Sequence, residues 1–351
     1  MPLFYATVPL WFTISIFGAQ FHRNTTSSPQ ADRAQVFDLL LVTGACYVDK
    51  AIHDDSERGL GRSRVWISYW KSPEEFKRWF SSPEVSAFWN SLPDDAGFWR
   101  ETLNFPSTRF INEVTQDIPS GVGNISTKSL APLTDKSGYW GAYRDRLEEA
   151  TVEKPLRTNL PDIPKPRQPD GTIRRGRFRM TKFPEHICYV IEGQDHSPLE
   201  ERETKVWSAL FDALTKRWIT NVLRARPDEG LLFGRLCHVP ESGKTKVEPT
   251  AVEQDPDIFP ELDFNRKIEI LYYTDLRWME RVGRRDKTHV KLRSKFMEQY
   301  GPGGDMSHGD LLLWVELGVL KAKDIEAEYI GCYEGTGFLA YDHDPNFVVD
   351  G

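Results

Sequence analysis

The sequence predicts an α+β fold assembled from two copies of one module, each an antiparallel sheet covered by helices on one face. Three observations predict it: short β-branched and aromatic runs, capped helices between them, and a partial repeat across a proline-rich middle. The runs 11–17, 65–70, 187–191, 268–273 and 311–320 carry the side chains that suit strands. The first reads as a buried strand ended by Gly18. It lacks the basic flank of an export signal and the length of a membrane span. Ser72-Pro73-Glu74-Glu75 reads as a capping box, with Phe76, Trp79 and Phe80 as the apolar face behind it. Ser197-Pro198-Leu199-Glu200 repeats that signal and is expected to open the longest helix. On it Trp207, Phe211, Leu214, Trp218 and Val222 recur at helical spacing, a core stripe.

The middle of the chain is a linker by composition: Pro155, Pro161, Pro164, Pro166 and Pro169 fall within one stretch, and proline neither continues a helix nor donates to a sheet. The expected division is therefore a first module over 1–154, a linker over 155–172 and a second module over 173–351. A second irregular stretch, 240–260, is acidic and reads as a surface insertion. The repeat is weak but long in period. Tyr69-Trp70 is followed by helical Phe76 and Trp79, and Tyr272-Tyr273 by Met279 and Val282 at the same offsets. Glu84-Val85 then answers to His289-Val290. Two such sheets closing on each other make a barrel-like core with room for a pocket between sheet and helices.

Composition excludes several classes. Lys+Arg 45 against Asp+Glu 52 leaves a net charge of −7, so no basic footprint for nucleic acid exists. Four scattered cysteines make neither a disulfide framework nor a C-x-x-C zinc site. They suit a reducing compartment, and a cytoplasmic protein without membrane attachment is expected. No Walker loop, G-x-G-x-x-G, G-x-S-x-G or H-E-x-x-H is present. Gly301-Pro302-Gly303-Gly304 follows a helical pattern and reads as a tight connection. What remains is single histidines beside aromatic-rich strands.

Several segments, in order, resemble the haem-containing aldoxime dehydratases. They are Phe17-Gly18-Ala19-Gln20-Phe21, Tyr69-Trp70-Lys71, Ser82-Pro83-Glu84-Val85, Gly97-Phe98-Trp99-Arg100-Glu101 and Pro119-Ser120-Gly121-Val122-Gly123. Then come Gly138-Tyr139-Trp140-Gly141-Ala142-Tyr143-Arg144-Asp145-Arg146, Gly193-Gln194-Asp195, Thr288-His289 and Glu328-Tyr329-Ile330-Gly331-Cys332. The resemblance implies two ferredoxin-like modules, haem b held by the second, and conversion of an aldoxime, R–CH=N–OH, to a nitrile and water. It implies that the oxime nitrogen binds ferrous iron, that a distal histidine protonates the leaving hydroxyl, and that an arginine and a serine help to hold it. The small-molecule substrate is thus an aldoxime or another apolar nitrogen-containing metabolite, and a homodimer is compatible with the family.

Carried over residue by residue, the resemblance makes His289 the proximal iron ligand. Phe296, seven residues on, shares its helical face and is expected to pack on the porphyrin, and Lys291 and Arg293 are expected either to pair with haem propionates or to form a solvated face. The distal positions depart from the pattern. Val315 stands where the distal histidine belongs, Ile191 where the arginine belongs, and no serine lies near Phe233-Gly234-Arg235. Neither valine nor isoleucine donates a proton. Val315 and Ile191 are expected to line the haem pocket together. His308, Tyr189 and Arg235 are the candidate replacements for the lost acid, and Glu316 is expected to point away from Val315. Three readings follow: an aldoxime dehydratase with a rearranged distal acid, a haem enzyme diverged towards another apolar substrate, and a non-catalytic haem-binding protein.

Overall fold

The computed structural model describes residues 2–22, 29–225, 227–245 and 257–350. Most of the stretch read as a surface insertion lies outside the described residues. The first half runs β1 (Phe4–Tyr5), β2 (Trp11–Phe21), α1 (Pro29–Val42), β3 (Tyr47–Asp54), β4 (Arg62–Trp70), α2 (Pro73–Phe80), α3 (Pro83–Asn90), β5 (Phe98–Pro106), β6 (Phe110–Val114), β7 (Ala131–Pro132) and α4 (Ala142–Arg146). The second runs β8 (Ile173–Lys182), β9 (Cys188–Asp195), α5 (Glu201–Trp207), α6 (Ala213–Leu223), β10 (Leu231–His238), β11 (Arg266–Tyr273), α7 (Leu276–Arg285), α8 (Lys287–Tyr300), β12 (Leu312–Val319), β13 (Ile325–Tyr333) and β14 (Val348–Asp350). One π-helical turn, Ser208–Asp212, joins α5 to α6. No described helix is long and apolar enough to cross a membrane.

The described strands form one 14-stranded sheet in the order β14-β8-β13-β5-β2-β4-β3-β10-β11-β9-β12-β6-β1-β7. The repeat is real in this order: β2 lies between β4 and β5, as β9 lies between β11 and β12. The halves also exchange strands. β6 leaves the first half to pair with β12, and β13 leaves the second to pair with β5. The proline-rich segment therefore does not divide the sheet. It is docked along it, with the Thr158 N–H donating to Asp275 at 3.0 Å and the Arg167 N–H to the Ala340 carbonyl at 2.7 Å.

The repeat has a packing signature. Gly18 pairs with Trp99, and Gly193 with Trp314. A Cβ on Gly18 would sit 2.1 Å from the Trp99 indole, and one on Gly193 would sit 2.0 Å from that of Trp314. Only glycine lets backbone and indole approach so closely. This corrects the expectation that Gly18 ends its strand: β2 runs through it to Phe21 because the glycine is a packing site, not a break. A second correction concerns the long helix. It begins at Glu201, since Ser197 donates its N–H to Asp195 in a turn instead of capping. The Ser72 cap is as expected, its side chain accepting from the Glu75 N–H.

Both faces of the curled sheet are covered. The inner face holds a core drawn from both halves, including Ile14, Ile67, Leu103, Tyr189, Ile191, Ile270 and Trp314. Two polar networks are sealed in it. Arg235 bonds both oxygens of Glu101, which also accept from the hydroxyls of Tyr272 and Tyr329 at 2.9 and 2.8 Å. Glu316 accepts from Tyr69 at 3.1 Å and from the Val122 N–H at 2.7 Å, joining β12 to β4 across the barrel interior.

Burial pushes the Glu316 carboxyl up to about 8, against which its hydrogen bonds to Val122 and Tyr69 act only in part. A raised folded-state value makes its contribution full below the unfolded value of 4.5 and lost as pH rises through about 8. Denaturation midpoints of wild type should therefore fall relative to those of Glu316→Gln across that window. Parallel pH profiles for the two proteins would contradict this.

Candidate functional site

The outer face of the second half is where the halves differ most. In the first half the space between sheet and helices is packed solid. Phe17 is ringed by Phe37, Phe76, Trp79 and Trp89 at 5.0–6.5 Å between centroids. Trp66 lies 5.2 Å from Phe37, and the Arg100 guanidinium sits 4.7 Å over Phe80. Aligning Gly18 with Gly193 and Trp99 with Trp314 gives the counterparts of these three residues: Glu192 for Phe17, Glu269 for Trp66 and Val315 for Arg100. Aromatic filling is thus replaced by carboxylates and a small side chain. Glu192, Val315, Leu313 and Glu113 each keep accessible surface although they lie on central strands of the sheet. They face α8, whose Leu292 and Phe296 share an apolar cluster with Leu313, and this sheet–helix interface is the slot.

His289 lies in the first turn of α8. Asp286 caps α8 by accepting the His289 backbone N–H at 2.9 Å, and its other oxygen accepts from Asn221 of α6 at 2.7 Å. The cap therefore ties the histidine's turn to the neighbouring helix. His289 Nδ1 lies 2.7 Å from the Gly283 carbonyl. A carbonyl only accepts, so Nδ1 carries a hydrogen and Nε2 is the nitrogen left to act as a ligand. Trp218 stacks on the imidazole face at 4.1 Å and 19°, and Trp140 meets its edge at 5.7 Å. Arg293 covers Trp140 at 4.4 Å, while Lys291 is exposed. Phe296 shares the His289 face as expected and packs on Phe211 and Tyr300. An imidazole whose Nδ1 is committed to a carbonyl, over a sheet face that the sister half fills with aromatics, fits a ligand to the iron of a planar group such as haem.

Pairing fixes the sheet side of the slot. Glu113, Val315, Glu192 and Glu269 are successive cross-strand partners on β6, β12, β9 and β11. Direct partners share a face, so three carboxyls flank or follow Val315 in one row. Burial raises the pKa of each of the three carboxyls. For Glu113 the Arg146 guanidinium at 2.9 Å and the Tyr143 hydroxyl at 3.1 Å act against that rise. The Trp218 indole N–H donates towards Glu192. Beyond its own backbone, neither oxygen of Glu269 has a hydrogen-bond partner among the described residues.

Several expected site residues lie elsewhere. Ile191 pairs with Glu316, one residue out of step with Val315, and so faces the barrel interior. Val315 and Ile191 thus do not line one pocket, because successive residues of a strand point to opposite faces. Tyr189 shares the inner face and is fully buried beside Tyr272 at 5.5 Å, away from α8. Arg235 is on that face too, held protonated by Glu101 despite its burial. His308 sits in an exposed turn after α8. His186 precedes β9, its Nδ1 2.6 Å from the Arg157 carbonyl. Glu316 does point away from Val315, as expected. Sequence reasoning missed Glu113, Glu192 and Glu269. The available signal was Glu192 immediately before the glycine that Trp314 covers.

The haem-containing dehydratase model matches residues 15–338. Phenylacetaldoxime dehydratase of Bacillus sp. (strain OxB-1) is 27% identical over 315 residues, 87% of this chain and 80% of that protein. An aldoxime dehydratase crystallised with butyraldoxime superposes with a TM-score of 0.72 at 20% identity, covering 96% of this chain and 88% of that one. A second aldoxime dehydratase structure gives 0.72 at 22% identity, covering 97% and 91%.

The register makes a sharp prediction. Ile191→Arg should force a long charged side chain into the packed barrel core, with only the already bonded Glu316 beside it, and cost upwards of about 4 kcal/mol in urea unfolding. Val315→Arg, which faces the slot, should cost much less. Equal losses would mean the two residues share a face after all.

Proposed function

This chain belongs to the haem-containing dehydratase family, and we propose that it dehydrates aldoximes to nitriles in the slot between α8 and the β9–β12 surface. The observation that carries the reading is His289. It stands over that slot with Nδ1 committed to the Gly283 carbonyl and Nε2 free to ligate. The similarity to aldoxime dehydratases supports the substrate class. The absence of a C-x-x-C-H attachment motif supports a haem held without covalent bonds, haem b. Scattered cysteines support a reducing compartment such as the cytoplasm.

When bound, the haem supplies an iron centre that polarises the C=N–OH group at nitrogen. The protein's own part is holding and proton handling. The Gly283 carbonyl fixes the imidazole tautomer and raises its basicity as a ligand. Trp218 and Trp140 hold the ring from its face and edge. Leu313 and Val315 give an apolar floor that suits an aryl or alkyl oxime side chain and excludes water from the reacting group.

Wild-type protein reconstituted with haem and reduced should form nitrile from phenylacetaldoxime or an alkyl aldoxime, followed by chromatography of the product. No nitrile from any aryl or alkyl aldoxime, with haem demonstrably bound, would contradict the reading.

A further inference from the structure

Dehydration needs a proton delivered to the leaving hydroxyl, and Val315, between Glu113 and Glu192 on the sheet face under α8, holds none. We propose that Glu192 is the proton-donating catalytic residue of this chain, acting from the strand next to Val315; this rests on the function proposed above.

Four observations carry it. Glu192 is the direct cross-strand partner of Val315, on the same face and under α8. It keeps accessible surface within the slot, whereas its other partner, Glu269, is fully enclosed. Among the described residues no cation forms an ion pair with Glu192, whereas Glu113, on the other side of Val315, is tied down by Arg146 and Tyr143. Its pseudo-equivalent in the first half is the core residue Phe17, so a carboxyl here is not a packing requirement of the fold. The charged and titratable groups around it are Glu269 and Tyr273 on β11, Glu113 on β6, Tyr143 on α4 and His289 on α8. Carboxyls in adjacent register oppose one another's ionisation, which favours keeping a proton in the row.

The step balances without an added co-reactant. The Glu192 carboxyl gives its proton to the oxime hydroxyl as the N–O bond breaks, and water leaves with that bond's electron pair. The C–H electron pair becomes the third C–N bond, and the Glu192 carboxylate takes the released proton. R–CH=N–OH becomes R–C≡N and H2O, and Glu192 ends as it began.

The test compares wild type, Glu192→Gln, Glu192→Asp and the double variant Glu192→Gln with Val315→His, all loaded with haem. Glu192→Gln should keep the Soret band and the spectral shift on adding phenylacetaldoxime to the ferrous protein, while kcat falls about 10²–10⁴-fold, the usual worth of a general acid. Glu192→Asp, which keeps the proton but shortens the reach, should retain part of the rate. The double variant should recover rate, since histidine then occupies the neighbouring strand position. Independently of turnover, the infrared C=O band of a protonated carboxyl in haem-free wild type should shrink in both Glu192→Gln and the double variant. Wild-type activity with an unimpaired Glu192→Gln, or no change in that band, would overturn the proposal. An inactive wild type would instead overturn the function on which it rests.

Discussion

The backbone of Gly193 lies against the indole of Trp314, and this contact locks β9 to β12 in one register. Everything functional on the second half depends on that register. Side chains alternate across a strand, so a slip of one residue would send Glu192 and Val315 into the barrel and Ile191 and Glu316 into the slot. The interior would then receive a different set of carboxyls, without Tyr69 and Val122 to bond them. The equivalent contact of Gly18 with Trp99 holds β2 on β5 in the same way. Duplication has kept the lock and changed what surrounds it.

What surrounds it decides function. The first half uses its sheet–helix interface for cohesion, with Phe17 and Trp66 buried among the aromatics of α1, α2 and α3. The second half gives up that filling. It carries Glu192, Glu269 and Val315 on the corresponding face, and places His289 three residues after the α8 cap, where α3 has Val85. Cohesion is made up elsewhere, by the strand exchange of β6 and β13 and by buried networks such as Glu101 with Arg235, Tyr272 and Tyr329. A slot of this kind would be costly in a fold without such support, since empty space and unpartnered polar groups both destabilise.

Much of this was legible in the sequence. The repeat could be read because Tyr69-Trp70 and Tyr272-Tyr273 end equivalent strands and are followed by helices with matching apolar offsets. His289 could be singled out through the family resemblance, in the Thr288-His289 dipeptide that lies in the first turn of α8. The strand exchange could not be read, because pairing between β6 and β12, or β13 and β5, is non-local and leaves no trace in periodicity. The pocket-lining set failed for one physical reason. Parity is exact along a strand, but parity between strands needs their register, and Ile191 was matched to Val315 without it. One residue's offset moved the argument from Ile191 to Glu192, from an apolar wall to a proton source. Tyr189 and Arg235 failed by the same parity, and His308 because a loop position carries no directional information.

The central claim is that His289 Nε2 is the protein's ligand to haem iron above the β9–β12 surface. Its most direct test is the ferric and ferrous absorption and magnetic circular dichroism spectra of haem-titrated wild type and His289→Ala, the latter with and without added imidazole. Wild type should show a single-histidine haem, His289→Ala should lose it, and imidazole should restore the wild-type spectrum. A His289→Ala protein whose spectra match those of wild type without imidazole would place the iron elsewhere and contradict the site described here.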